Sequence, residues 1–288
     1  MDGTTPFGAH RGIWLKREDE HELGAFKWRG ALATLEARRP DVVVTASTGN
    51  HGAATAWAAA RVGARAVVFV PEGASQTKVA LIEAQGAELR FEGADMDEAK
   101  AAARTHAAET GAFFFEDGAE QAQFDGYARI GHELLDELAE PPAAVVVPVG
   151  NGALAIGVFR ALAERSPGTE RIAVAAAEAP AMWESWRAGR PVDSEQCSTF
   201  ADGLAVRVAI PLAVRELNAL TQRFELVSEA ELEEAVREYA AAGIRVEGAA
   251  AAPLALALRE ALPRPLVLIV TGRNVDEAVY NEILTRGT

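Results

Sequence analysis

Ala144-Val-Val-Val-Pro-Val-Gly-Asn-Gly-Ala-Leu154 is the stretch that decides the fold class. An apolar run without alternation, here Ala144 to Pro148, predicts a strand buried on both faces, as in parallel sheets covered by helices. The run ends in a glycine-containing turn and passes into a predicted helix. Working outward, the same rhythm recurs. Strands are predicted at Ile13–Lys16, Val42–Thr45, Ala66–Val70, Glu88–Phe91, Phe113–Phe115, Ile172–Ala175 and Leu266–Val270. Helices fit between them at Ala53–Arg61, Gln76–Ala84, Asp97–Ala108, Gly126–Leu138, Glu229–Ala241 and Pro253–Ala261. The fold class is therefore α/β, with strands fed by crossover helices. No repeat or low-complexity linker marks a boundary, and the alanine-dense Ala99–Ala103 and Ala249–Ala252 are ordinary helix formers. The segment from Val42 to Phe115 carries enough strand and helix for a small sheet of its own. A cleft between two such units is a natural cofactor site.

Composition narrows the function classes. The 288 residues are 49% hydrophobic, enough for a sizeable core. A net charge of −14, with 42 acidic against 28 basic residues, argues against nucleic acid and anionic membrane surfaces. No apolar run approaches the length of a membrane span, and the N-terminus lacks a basic stretch followed by an apolar one. The single cysteine, Cys197, excludes an intramolecular disulfide and fits a reducing cytoplasm.

Three strings gather small residues and backbone donors around one reactive or polar side chain. In Gly24-Ala-Phe-Lys-Trp-Arg-Gly30 the first glycine opens a helix, so Lys27 falls in its first turn, where unpaired N–H groups carry partial positive charge. That position suits a neutral amine able to form a Schiff base, and a solvated helical lysine is the plainer alternative. Thr45-Ala-Ser-Thr-Gly-Asn-His-Gly52 lies at a strand-to-helix turn. Its hydroxyls and amides make an anion nest suited to a carboxylate, or a helix cap through Ser47 or Thr48. The turn Gly150-Asn-Gly-Ala-Leu154 can cradle a phosphate. A dinucleotide is the competing ligand there, since Glu178 ends the following strand, but the third glycine of the fingerprint falls at Ala155 and the pattern fails.

In order and spacing, with Lys16-Arg-Glu-Asp19 before them and Thr271-Gly-Arg-Asn274 after, these strings resemble the tryptophan synthase β-like enzymes, which depend on pyridoxal 5'-phosphate (PLP). Threonine and serine dehydratases and serine racemase are the members most resembled. Phe200-Ala-Asp-Gly-Leu-Ala-Val-Arg207 and Val246-Glu-Gly-Ala-Ala250 extend the likeness from Leu15 to Asn274. The resemblance implies two open, mostly parallel sheets flanked by helices, with PLP in the cleft between a large domain (1–41 and 116–288) and a small substrate-carboxylate domain (42–115). Lys27, next to Phe26, would hold PLP; Ala25 stands where many members carry serine. Ser47, Thr48, Gly49, Asn50 and His51 would grip the amino acid carboxylate, Asn50 also meeting the cofactor's phenolic oxygen. Gly150, Asn151, Gly152, Ala153 and Leu154 would hold the phosphate, with Asn151 and Ala153 replacing two of the family's four glycines; asparagine tolerates left-handed backbone. Thr271 would face the pyridine nitrogen. A neutral hydroxyl there makes a weaker electron sink than a carboxylate, which favours loss of a β substituent over transamination.

The expected activity is β-elimination from a small hydroxy amino acid such as threonine or serine, giving a 2-oxo acid and ammonia, with Lys27 removing the α proton. Thr48 stands where related racemases place a serine acid and base and threonine synthases place threonine, so Lys27 and Thr48 are the candidate catalytic pair. Threonine synthase or a racemase is the alternative enzyme, and a non-catalytic amino-acid-binding protein the alternative of another class. A cytoplasmic homodimer without a regulatory domain after the catalytic part is expected. His10, His21, His106 and His132 read as surface or packed histidines and His51 as a structural hydrogen-bonding one. Glu178 and Glu184 flank Met182, no oxygen ligand, so no metal is expected. Glu18-Asp19 and Glu233-Glu234 read as solvated charge.

Overall fold

The structure is a computed structural model that describes residues 3–8, 10, 12–74 and 76–286. In chain order its elements are β1 (Thr4–Pro6), β2 (Ile13–Arg17), α1 (Lys27–Arg38), β3 (Val42–Ala46), α2 (Asn50–Val62), β4 (Arg65–Val70), α3 (Gln76–Glu83), β5 (Glu88–Phe91), α4 (Met96–Thr110) and β6 (Phe113–Phe114). There follow α5 (Gln121–Glu137), β7 (Ala144–Pro148), α6 (Ala153–Arg165), β8 (Glu170–Ala176), α7 (Ala181–Ala188), α8 (Pro211–Leu220), β9 (Arg223–Val227), α9 (Glu229–Ala241), α10 (Gly248–Arg259), β10 (Leu266–Val270) and α11 (Glu277–Thr285). Two compact units result, one of residues up to Ala25 and from Tyr127 onward, the other Phe26–Gly126.

The larger unit is built on a six-stranded sheet in the order β1-β2-β10-β7-β8-β9. Every pairing is parallel except β1 with β2. All five residues of β7 and all five of β10 are buried, which explains their unbroken apolar runs. Buried charge sits at this sheet too. Lys16 of β2 is fully buried and reaches Glu133 and Glu137 of α5, both at 3.0 Å. Asp19 accepts two hydrogen bonds from Arg17, at 2.8 and 2.7 Å. Glu18 and Asp19 are thus buried rather than solvated, because the strand end that carries them is covered.

The smaller unit holds a four-stranded parallel sheet, β5-β4-β3-β6. Helix α1 belongs to it, with Trp28 edge-on to Trp57 of α2 at 5.7 Å between ring centroids. The expected boundaries at 42 and 115 therefore differ from those drawn by packing. Two strands escaped the sequence reading. β1 is three residues of polar edge, and β9 alternates Arg223 and Glu225 with apolar residues, as an edge strand does. Helix α10 begins at Gly248 rather than Pro253: proline favours a first turn, but here it lies inside the helix, after a buried alanine run.

Candidate functional site

In the smaller unit, Lys27 is the first residue of α1, behind Phe26 at the N-cap, and its Nζ lies 5.1 Å from the Phe26 ring centroid. Its side chain is 18% exposed, and Nζ forms an ion pair with Asp117. Asp117 follows β6, and its other oxygen accepts from Gln123 Nε2 at 2.6 Å. Gln123 is fixed in turn by the Gly118 N–H at 2.7 Å. Burial alone would raise the Asp117 carboxyl, but the charge of Lys27, the neighbouring His51 and the hydrogen bonds from Lys27 and Gln123 hold it well below the usual carboxylate range. Neither Asp117 nor Gln123 was marked by the sequence reading. The available signal was an acidic pair, Glu116-Asp117, closing an aromatic run at a predicted strand end.

The candidate carboxylate loop leaves β3 and enters α2. Ser47 donates its N–H to Phe69 O at 3.1 Å, and its Oγ accepts the Gly49 N–H at 3.2 Å. Gly49 is the N-cap of α2 and no side chain caps the helix, so the alternative of a cap by Ser47 or Thr48 is not what forms. Asn50 opens the helix. His51 is buried and serves structure: Nε2 lies 3.1 Å from Thr45 Oγ1, which itself donates to Phe115 O at 2.8 Å. Because Thr45 spends its proton on Phe115, Nε2 is the protonated nitrogen. Burial pushes the His51 pKa down, against the pull of Asp117.

In the larger unit, Val149 closes onto β8 through Val174 O at 2.8 Å, and Gly150, Asn151 and Gly152 turn the chain into α6. A Cβ on Gly150 would collide with the Gly203 carbonyl oxygen. Gly152, at φ +94°, is the left-handed residue, not Asn151. Asn151 acts through its carboxamide, Oδ1 accepting the Ala153 N–H at 3.1 Å. Ala153 and Leu154 are buried in the first turn of α6. On the adjacent β10, Thr271 follows the last strand residue, 2% exposed, and donates to Glu247 Oε1 at 3.3 Å. The register pairs Leu268 with Val146, so Thr271 and the Gly150–Gly152 turn lie at the same, carboxyl-terminal edge of one sheet. That edge is where open α/β sheets bind ligands. A tight backbone turn at a helix N-terminus and a buried hydroxyl beside it fit the phosphate and the ring nitrogen of PLP.

Glu178 accepts from Gln196 Nε2 at 2.7 Å. Among the described residues no group of three or more His, Cys, Asp and Glu is placed to hold a metal ion, and no helix is long and apolar enough to cross a membrane.

The model of the family "pyridoxal-phosphate dependent enzyme" matches residues 4–272. The chain belongs to this family. L-threonine ammonia-lyase of Geobacter sulfurreducens is 34% identical over 96% of the chain and 70% of its own length. Among solved structures, the processed form of threonine deaminase isoform 2 from Solanum lycopersicum superposes with a TM-score of 0.89 at 26% identity, covering 95% of this chain and 82% of that one. Maize serine racemase gives 0.87 at 26% identity, covering 96% and 87%. The family fixes the cofactor class as PLP and accounts for both mostly parallel sheets.

Proposed function

We propose that this family member is an ammonia-lyase acting on a small hydroxy amino acid, threonine or serine, and releasing a 2-oxo acid and ammonia. The observation that carries the reading is Lys27: a half-buried amine at a helix start, held by a carboxylate, in the same unit as the Ser47–His51 loop. Relatives named for this activity support the substrate class.

PLP, when bound, supplies the electron sink that receives the pair left at Cα. Lys27 Nζ removes the α proton as a neutral amine and becomes an ammonium. Asp117 pairs with that ammonium and holds the nitrogen in place. The hydroxyls of Ser47 and Thr48 and the amides of Gly49 and Asn50 bind the substrate carboxylate, the Asn50 side chain orients the cofactor's ring oxygen, and buried His51 stiffens the loop. Gly150–Leu154 hold the phosphate and Thr271 meets the ring nitrogen. The working form is taken to be a homodimer in the cytoplasm; the lone Cys197 suits a reducing compartment, and sedimentation of the holoprotein tests the dimer.

The test is turnover of L-threonine and L-serine, read as 2-oxo acid and ammonia, together with borohydride fixation of PLP on Lys27. Lys27→Ala should lose turnover by several orders of magnitude, since the covalent anchor and the base vanish together. Near-normal keto acid from that variant, or a protein unable to take up PLP, overturns the proposal.

A further inference from the structure

Asp117 follows β6, at the carboxyl-terminal end of the smaller sheet, and lies beside both parts of the candidate site in that unit. One carboxylate oxygen meets Lys27 Nζ. The other accepts from Gln123 Nε2 at 2.6 Å and stands 3.7 Å from Nδ1 of His51, the last residue of the candidate carboxylate loop.

Lys27 balances Asp117 one for one. Burial keeps the His51 ring neutral, and Lys100 and Arg104 are both drawn to Glu116, at 2.5 and 2.8 Å. A substrate α-carboxylate gripped by Ser47–Asn50 adds one negative charge, met by hydroxyls and amides. A second anion, on the side chain, finds no cation left among these groups, and the carboxylate it approaches can only accept. The side chain comes near Asp117 for a geometric reason that rests on the reading above. Lys27, as the base, must come within hydrogen-bond reach of the α carbon, about 3 Å. Asp117 is within hydrogen-bond reach of that same nitrogen, so a charge carried on Cβ falls within the few ångströms over which partly buried charges repel strongly. We propose that Asp117 determines substrate specificity: it admits amino acids with a neutral side chain and rejects those with an anionic one, carboxylate or phosphate ester alike.

The test compares L-asparagine with L-aspartate, which share a shape and differ in one charge. Each is titrated into the PLP-loaded full-length protein, and binding is read from the absorption of the bound cofactor rather than from turnover. Like charges about 5 Å apart at an effective dielectric of about 20 correspond to a few hundredfold in affinity. The wild type should therefore bind L-asparagine at least about a hundredfold more tightly than L-aspartate. Asp117→Asn should bring that ratio below about tenfold, and Asp117→Ser, which also removes the charge, should do the same. Because the ratio compares two ligands on one protein, a general loosening of the site cancels, and a merely structural role leaves it unmoved. A wild type that binds the two equally, or binds neither, overturns the proposal without needing any variant to fold; so does a ratio unchanged in the variants. Turnover of L-threonine by the wild type reports the underlying reading separately: a protein that consumes threonine yet binds aspartate as well as asparagine loses this inference alone.

Discussion

Asp117→Asn isolates the charge that holds Lys27. Asparagine keeps an oxygen for the Gln123 amide at nearly the same place, so the change falls on the ion pair. Exposed pairs contribute about 0.2–1 kcal/mol, whereas removing one partner of a fully buried pair costs about 3–5 kcal/mol. The side chains of Lys27 and Asp117 are 18% and 22% exposed, between those limits. Asp117→Asn should therefore destabilise the cofactor-free protein by about 2 kcal/mol. The assay is a double-mutant cycle with Lys27→Met, followed by urea unfolding of the protein stripped of PLP. With Lys27 replaced, the carboxylate has lost its cation, so Asp117→Asn should cost almost nothing or stabilise. The coupling should exceed about 1 kcal/mol, well beyond the roughly 0.5 kcal/mol scatter of independent sites. Additive costs would show that the ion pair does not link these residues and that Asp117 has another role.

Asn151→Ala frees the Ala153 N–H at the start of α6, so PLP affinity measured by equilibrium dialysis should rise by about fivefold, the net value of one hydrogen bond; unchanged or weaker binding refutes competition by the carboxamide. Thr48→Ala should raise the KM for the L substrate by about tenfold with kcat little changed, as for a lost carboxylate hydrogen bond; loss instead of α-proton exchange on a D amino acid would make Thr48 an acid and base. His51, lowered from 6.5 by burial, resists a proton that the unfolded chain accepts, so wild-type stability should fall as pH drops below about 6.5. Asp117 stays ionised across that window. His51→Gln should flatten the fall in thermal scans from pH 7 to 5, and an unchanged slope would place the sensitivity elsewhere.

What could be read in the chain, and what could not, divides by the distance over which a partner is found. Lys27 stood out through its resemblance to the family's lysine string, since the residues around it alone left a solvated helical lysine as the plainer alternative; the structure places it at a helix start. The turns at Ser47 and Gly150 were legible as turns because strand, turn and helix follow directly. Asp117 was not, since 90 residues separate it from Lys27 and only the pairing of β6 beside β3 brings the carboxylate to the strand end where His51 and Lys27 meet it. Glu247 was visible as part of Val246-Glu-Gly-Ala-Ala250 but without a partner, because the Thr271 it faces lies 24 positions away, across α10 and a strand. Parallel strands need a crossover, so their carboxyl-terminal ends are always neighbours in space and distant in sequence. The Gly150–Gly152 turn and Thr271 lie at such ends. A strand–turn–helix passage is therefore readable from a string of residues, while the carboxylates that face it, Asp117 at Lys27 and Glu247 at Thr271, become readable only with the sheet order in hand.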